Sequence, residues 1–242
     1  MLASLAVVLA SVLTVTAVVV WATASNVKPG VTLLQADGQA APVPQVGPLD
    51  GGANILLAGT DTRTGQGGEF STDDQLDGSS GAGSNDVTMV LHISADHSSA
   101  AVISIPRDLE VPVPECPDGS GGTIDAQDRA MFNTTLAEGG LSCVVLTAEQ
   151  LTGLTIQYAA TIDFDGVIAM ADAVGGVTVC LDAPVLDPSA GLDLPAGEQT
   201  LGGATALGFV RTRYGVGDGS DLGRISNQQV FLSALVRKVM SE

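Results

Sequence analysis

Arginine set beside aspartate is the arrangement in this chain best suited to chemistry. Five of the nine Lys and Arg residues fall in four short motifs, Asp61-Thr62-Arg63, Pro106-Arg107-Asp108, Arg211-Thr212-Arg213 and Gly219-Ser220-Asp221-Leu222-Gly223-Arg224. A guanidinium is a planar fork of donors that matches phosphate oxygens two at a time and stays charged at physiological pH. Basic residues used this sparingly and placed this way point to one polyanionic ligand. Asp61 and Asp86 each border an apolar, strand-like run, with no Cys or His close by. Such a pair of carboxylates suits Mg²⁺, which accepts one or two protein oxygens and completes its shell with water and phosphate.

Each of these residues also has a plainer reading. Asp61 and Asp86 suit turns or helix caps, and Arg107 suits a surface ion pair with Asp108 or Glu110. Arg211 and Arg213, at the expected end of a helix, suit its C-terminal dipole. Asp221 suits the N-cap of a helix that carries Arg224 and Gln228 four residues apart on one face. Taken singly the signals are weak, and their weight comes from occurring together. No Ser-His-Asp or Cys-His set competes with them, because the only histidines, His92 and His97, fall in an expected hairpin and read as structural or solvated.

The formal charge of −18 disfavours nucleic acid or an anionic membrane surface as the main partner, so any anion must be held locally against the overall field. With 242 residues and 45% apolar content, the chain suits one substantial core plus appendages. Residues 1–27 carry no charge, and Leu2 to Ala24 is almost wholly apolar. That run is long enough to cross a bilayer core of about 30 Å and is read as a membrane anchor. A cleavable signal peptide ending at Ala22-Thr23-Ala24 is the alternative. No Lys or Arg precedes the span, so charge does not orient it, and the loss of a basic tail before Met1 is an expectation. Residues 28–52, rich in Gly, Pro, Ala and Gln, read as a stalk.

From residue 53 onward, the pattern mixes strands with helices. Asn54 to Gly59 is a buried strand, residues 64–85 are a polar loop, and Val87 to Ser94 with Ala100 to Ile105 forms a hairpin. Helical content spans Asn133 to Leu151, interrupted at Gly139-Gly140. Gln157 to Ile162 is a strand, Asp165 to Val174 a helix and Gly176 to Leu181 a strand. Leu194 to Leu201 reads as a turn entering a helix from about Gly203 to Arg213, and Leu222 to Met240 is an amphipathic helix. Cys116, Cys143 and Cys180 lack zinc-ligand spacing, which leaves one disulfide, taken as Cys116 with Cys143, and one buried thiol.

The ordered set Asn54 to Arg63, Asn85-Asp86-Val87-Thr88-Met89, Ser104 to Asp108, Phe132-Asn133, Gly175-Gly176-Val177, Leu194 to Gly197, Ala206 to Arg213 and Gly219 to Gln229 resembles the LytR-CpsA-Psr family of cell-wall glycopolymer ligases. The resemblance covers about residues 53–240. It implies an extracellular α/β domain, an αβα sandwich with a central mixed sheet, preceded by one N-terminal transmembrane helix in the cell membrane. The implied reaction is the transfer of a glycopolymer from a polyprenyl pyrophosphate carrier to a muramic acid hydroxyl of peptidoglycan. By position, Asp61 and Asp86 would hold Mg²⁺, and Arg63, Arg107, Arg211, Arg213, Arg224 and Gln228 would line the pyrophosphate site. Arg107 and Asp221 would be catalytic, with Asp221 orienting an arginine or assisting the attacking hydroxyl. Two other readings stay open: a polyprenyl pyrophosphate phosphatase, and a non-catalytic module that captures wall polyanions. The chain departs from the family pattern at Ser84, where many relatives carry Arg, and at Glu242, where relatives continue. A C-terminally incomplete domain is therefore an expectation.

Overall fold

The computed structural model describes residues 33, 51–64, 81–118, 122–213, 219 and 221–240. In its first half the strands are β1 (Ala53–Thr60), β2 (Asn85–Ile93), β3 (Ala100–Ile105), β4 (Glu110–Val113), β5 (Cys116–Pro117), β6 (Thr123–Ile124) and β7 (Gln127–Met131). Helix α1 (Thr135–Thr152), strand β8 (Tyr158–Ile162) and helix α2 (Phe164–Ala173) follow. Strands β9 (Val177–Leu181), β10 (Val185–Asp187), β11 (Leu192–Leu194) and β12 (Gly197–Leu201) then lead to helices α3 (Gly203–Arg211) and α4 (Asp221–Met240).

The central sheet has the order β3-β2-β1-β8. Strands β1, β2 and β3 pair antiparallel, whereas β8 adds parallel to β1 with Ile55 opposite Tyr158. The sheet is therefore mixed, as expected. Asn54 pins the parallel edge by taking Gln157 N on its carbonyl (3.2 Å) and giving its side-chain amide to the Thr155 carbonyl (2.7 Å).

Strand alternation sends Leu56, Ala58 and Val90 to one face, where they form a core with Phe132, Leu136, Val144, Val145 and Ala148. Helix α1 thus covers that face. Leu33, inside the segment read as stalk, packs against the same cluster. The opposite face carries Leu57, Val87 and Met89 and is roofed by α2, α3 and α4 across a cavity. Helices on both faces give the three-layer α/β arrangement. Behind the roof, β9, β10, β11 and β12 contribute Val177, Val179, Val185, Leu192 and Leu201 to a second core with Phe209 and Phe231.

Several expectations meet the structure directly. The hairpin, α1 with its non-helical Gly140, β8, α2, β9 and α4 fall where periodicity put them. The Cys116–Cys143 disulfide is present, tying β5 to α1. Cys180, by contrast, is exposed rather than buried. It sits on the outward side of β9, whose Val177, Val179 and Leu181 take the inward positions. Nor is Leu194 to Leu201 simply a turn into a helix, because Gly197–Leu201 is a strand antiparallel to β9. Only Leu201 of β12 is buried, so the strand is held by ladder hydrogen bonds and lacks the apolar alternation that would reveal it. The segment expected to anchor the chain, residues 1–27, lies outside the described residues. Among the described residues no helix is long and apolar enough to cross a membrane.

Candidate functional site

Asp61 and Asp86 line one cavity, and Asp86 reaches it at a defect in the sheet. Gly59 faces Val87, but Thr60 faces Asn85, so Asp86 is an extra residue on β2. A bulge of this kind re-aims the side chains around it. Asn85 turns into the core and is 0% exposed. It donates to the Thr88 hydroxyl (3.1 Å) and the Phe132 carbonyl (3.2 Å), and accepts from Leu136 N (3.1 Å) in the first turn of α1. Such first-turn N–H groups have no partner within the helix, so Asn85 caps α1 from outside. Asp86 is left facing the cavity beside Val87.

One peptide joins the two acids. The Ser84 carbonyl accepts from both Asp61 N (3.2 Å) and Asp86 N (3.1 Å), while Ser84 N donates to Asp61 Oδ1 (2.7 Å). Position 84, where the family pattern often has Arg, here acts through its backbone. Gly83 completes the cradle at φ +71°, and a Cβ there would lie 2.6 Å from Thr62 N and 2.7 Å from Asp61 Oδ1. Gly83→Ala is therefore expected to displace the Asp61 carboxylate and to cost roughly 1–3 kcal/mol of strain, measured by urea denaturation. An unchanged midpoint would show that the loop relaxes without Asp61.

A cavity of about 390 Å³ runs from these acids under the helical roof, within the usual size of small-molecule sites. Its lining combines polar side chains, among them Asp61, Arg63, Asp86, Arg211, Arg213, Arg224 and Gln228, with apolar ones, among them Leu57, Met89, Ile162, Val167, Phe231 and Leu235. The structure thus gathers most of the sequence-predicted residues, from β2, α3 and α4 and from the chain just past β1 and α3. Arg107 is not part of the lining and reaches it through Asp86, which it pairs at 2.9 Å, with a second contact to Asp108 at 3.4 Å. Glu110 pairs with Arg129 instead. Asp221 opens α4, and its side chain lies outside the described residues.

The cations are held in different ways. Arg224 is 5% exposed and donates to the Asp86 carbonyl at 3.3 Å. Gln228 donates to the Val210 carbonyl at 3.0 Å, tying α4 to the last turn of α3. Arg63 and Arg211 both lie on the ring of Phe164, 4.7 and 4.5 Å from its centroid. Stacking on an aromatic face fixes a guanidinium without consuming its N–H donors. His92 bonds Asn54 at 2.7 Å and His97 sits in the β2–β3 turn, both remote from the cavity.

Four arginines crowded without counter-charge would be costly, and four lining aspartates offset them. Asp163 caps α2 through Gly166 N (2.8 Å), and Asp86 pairs with Arg107. Asp187, 2% exposed, accepts from Ser189 N, the Ser189 hydroxyl, Ala190 N and the Thr212 hydroxyl. Burial pushes its carboxyl up, but these donors outweigh it and hold the group below the ordinary carboxylate range. The depressed value means that its stabilising share is present above the unfolded pKa and is lost as pH falls through the folded one.

Among the described residues no group of three or more His, Cys, Asp or Glu side chains is placed to hold a metal ion. Asp61 and Asp86 nonetheless fit Mg²⁺ as a partial, all-oxygen shell, since that ion keeps waters and shares substrate phosphates. Phe164, Asp187, Thr212 and Gly83 were not singled out by sequence. The Asp163-Phe164 step from strand to helix and the capping Asp187-Pro188-Ser189 were the signals available for two of them.

Fold and site together define a three-layer α/β domain with an arginine-lined, half-apolar cavity. The LytR_cpsA_psr family model matches residues 23–242, and the chain belongs to that family. It is 40% identical over 191 residues to the probable cell wall biosynthesis protein LcpB of Corynebacterium glutamicum, covering 78% of this chain and 42% of that protein. With the cell wall biosynthesis protein LcpA of the same organism it shares 34% over 211 residues, covering 79% of this chain and 40% of that protein. The chain thus spans about two fifths of the length of these relatives. Among solved structures, TagT bound to LI-WTA superposes with a TM-score of 0.62 at 25% identity, covering 88% of this chain and 74% of that one.

Proposed function

We propose that this chain transfers a glycopolymer from a polyprenyl pyrophosphate carrier to peptidoglycan in cell-wall assembly. The observation that carries the reading is one cavity whose lining joins four arginines and several acids to a large apolar set. A pyrophosphate on a hydrocarbon chain combines the same two chemistries. Relatives named for cell wall biosynthesis support the reading.

In the proposed reaction a muramic acid hydroxyl oxygen attacks the phosphorus that bears the glycopolymer. The pyrophosphate P–O bond breaks, polyprenyl phosphate leaves, and a phosphodiester remains on the sugar. The attacking hydroxyl gives up its proton, and Asp221 is proposed to take it or to orient an arginine. Arg63, Arg211, Arg213 and Arg224 hold the phosphate oxygens, because phosphoryl transfer depends mainly on positioning and charge neutralisation. Asp61 and Asp86 are proposed to hold Mg²⁺, which when bound adds positive charge beside those oxygens. Residues 1–27 are proposed as a single membrane anchor, residues 28–52 as a stalk, and the folded domain as extracellular, where a Cys116–Cys143 disulfide persists.

The test incubates the full chain in detergent with a prenyl-pyrophosphate-linked glycan, Mg²⁺ and peptidoglycan fragments. Glycan joined covalently to peptidoglycan is the expected product, and Asp61→Asn with Asp86→Asn should abolish its Mg²⁺ dependence. Free prenyl phosphate without conjugate would replace transfer by hydrolysis, and tight binding without turnover would make the chain a capture module.

A further inference from the structure

The Arg211-Thr212-Arg213 motif puts two like charges on either side of a residue that is 1% exposed. Arg211 ends α3, and Thr212 leaves the helix in an extended conformation, φ −61° and ψ 138°. In extended chain, successive side chains point to opposite sides. Thr212 points inward, and its hydroxyl donates to Asp187 Oδ2. Both arginines line the cavity.

The receiving carboxylate is built into the fold. Asp187 caps the 3-10 turn Pro188–Ala190, its Oδ1 accepting from Ser189 N (3.0 Å), Ala190 N (3.2 Å) and the Ser189 hydroxyl (2.5 Å). The turn is brought against α3 by Gly208, where a Cβ would lie 2.5 Å from the Ala190 carbonyl oxygen. Gly208 also accepts Thr212 N at 2.9 Å, so the same contact places the end of the helix. Oδ1 is fully engaged by the turn, and Oδ2 is the oxygen turned to Thr212. Asp187 is thus occupied by structure and is not spare for a metal.

We propose that Asp187 is a positioning residue that clamps Thr212 and thereby delivers Arg211 and Arg213 to the cavity as an ordered pair. The consequence for substrate binding rests on the pyrophosphate reading above. The clamp lowers the disorder of two long cations in advance, so less is lost when both forks close on one anion. Removing the Thr212 hydroxyl, which is not part of the cavity lining, weakens binding without removing any group that touches the ligand.

Thr212→Val keeps the shape of the side chain and removes the hydroxyl, Thr212→Ser keeps the hydroxyl, and Asp187→Ala removes the acceptor. Two measurements are made on the full chain in detergent: affinity for farnesyl pyrophosphate by calorimetry, and the ¹⁵Nε order parameters of Arg211 and Arg213 by NMR. Thr212→Val is expected to weaken binding at least tenfold and to lower order at both arginines, with Thr212→Ser within twofold of wild type. Because the two side chains share one hydrogen bond, Asp187→Ala with Thr212→Val should lose less than the sum of the two single variants. Unchanged order parameters in Thr212→Val, or losses that simply add, would overturn the clamp. If wild type failed to bind farnesyl pyrophosphate while Thr212→Val still lost order, the clamp would stand and the pyrophosphate reading would fall.

Discussion

Arg107→Ala is expected to lower kcat/KM for polymer transfer about 100-fold while the protein stays folded. That figure lies at the upper reach of losing a group that orients a carboxylate proposed to bind metal and the lower reach of losing a donor aimed at developing charge. Arg107 meets Asp86 Oδ1 at 2.9 Å, with about a quarter of each side chain exposed, and Asp86 is the residue the bulge turns into the cavity. Without Arg107, Asp86 loses the cation that fixes its direction. A partly exposed ion pair contributes only about 1 kcal/mol or less to stability, so the loss should fall on turnover and not on the thermal midpoint. Arg107→Lys restores charge but not the fork, and should recover only part of the rate. A variant within threefold of wild type would show that Asp86 is positioned without Arg107, by its backbone contacts with Ser84 and Arg224.

Replacing Cys116 and Cys143 together by Ala is expected to cost roughly 3.5 kcal/mol of folding stability, from the chain entropy that a bridge across 27 residues removes from the unfolded state. The bridge ties β5 to α1 beside Val113, in a small core of its own on the α1 side of the sheet. The cavity lies across the sheet, under α2, α3 and α4. Stability and ligand affinity should therefore separate. Urea denaturation of oxidised and double-Ala protein gives the first, and calorimetry with farnesyl pyrophosphate well below the transition gives the second. A fall in affinity that matched the fall in stability would mean that α1 and the site are coupled through β1 and β2.

The parts of the fold that could be read in sequence were those that bury one face against a core. Helix α4 and the β2–β3 hairpin carry their apolar residues at regular spacing, and the Gly139-Gly140 break marks the non-helical point in α1. Strand β12 was missed because Glu198, Gln199 and Thr200 bury nothing deeply and are ordered by pairing with β9. The site divides in the same way. Arginines in an acidic chain stand out by type, and Arg63, Arg211, Arg213 and Arg224 do line one cavity. The groups that hold them are ordinary by type. Phe164 reads as core, Asp187 as a turn residue and Ser84 as loop, and only their contacts with Arg63, Thr212 and Asp61 give them weight. Bulges are equally silent, since a single extra residue leaves no periodic trace.

The parallel pairing of β1 with β8 has a consequence for the order in which the protein is made. Antiparallel β1, β2 and β3 are joined through nearby chain, but the contact of Asn54 with Gln157 spans 103 residues. Closing so long a loop is slow relative to forming a hairpin. Until β8 arrives, β1 is an open strand edge with Leu57 and Ile55 uncovered, the kind of surface on which other chains add. Phe164, Asp187 and the arginines of α3 and α4 all follow β8 in the chain. An emerging polypeptide therefore exposes Asp61, Arg63 and Asp86 well before Arg211, Arg213 and Arg224 exist to join them, and the cavity is among the last things to form.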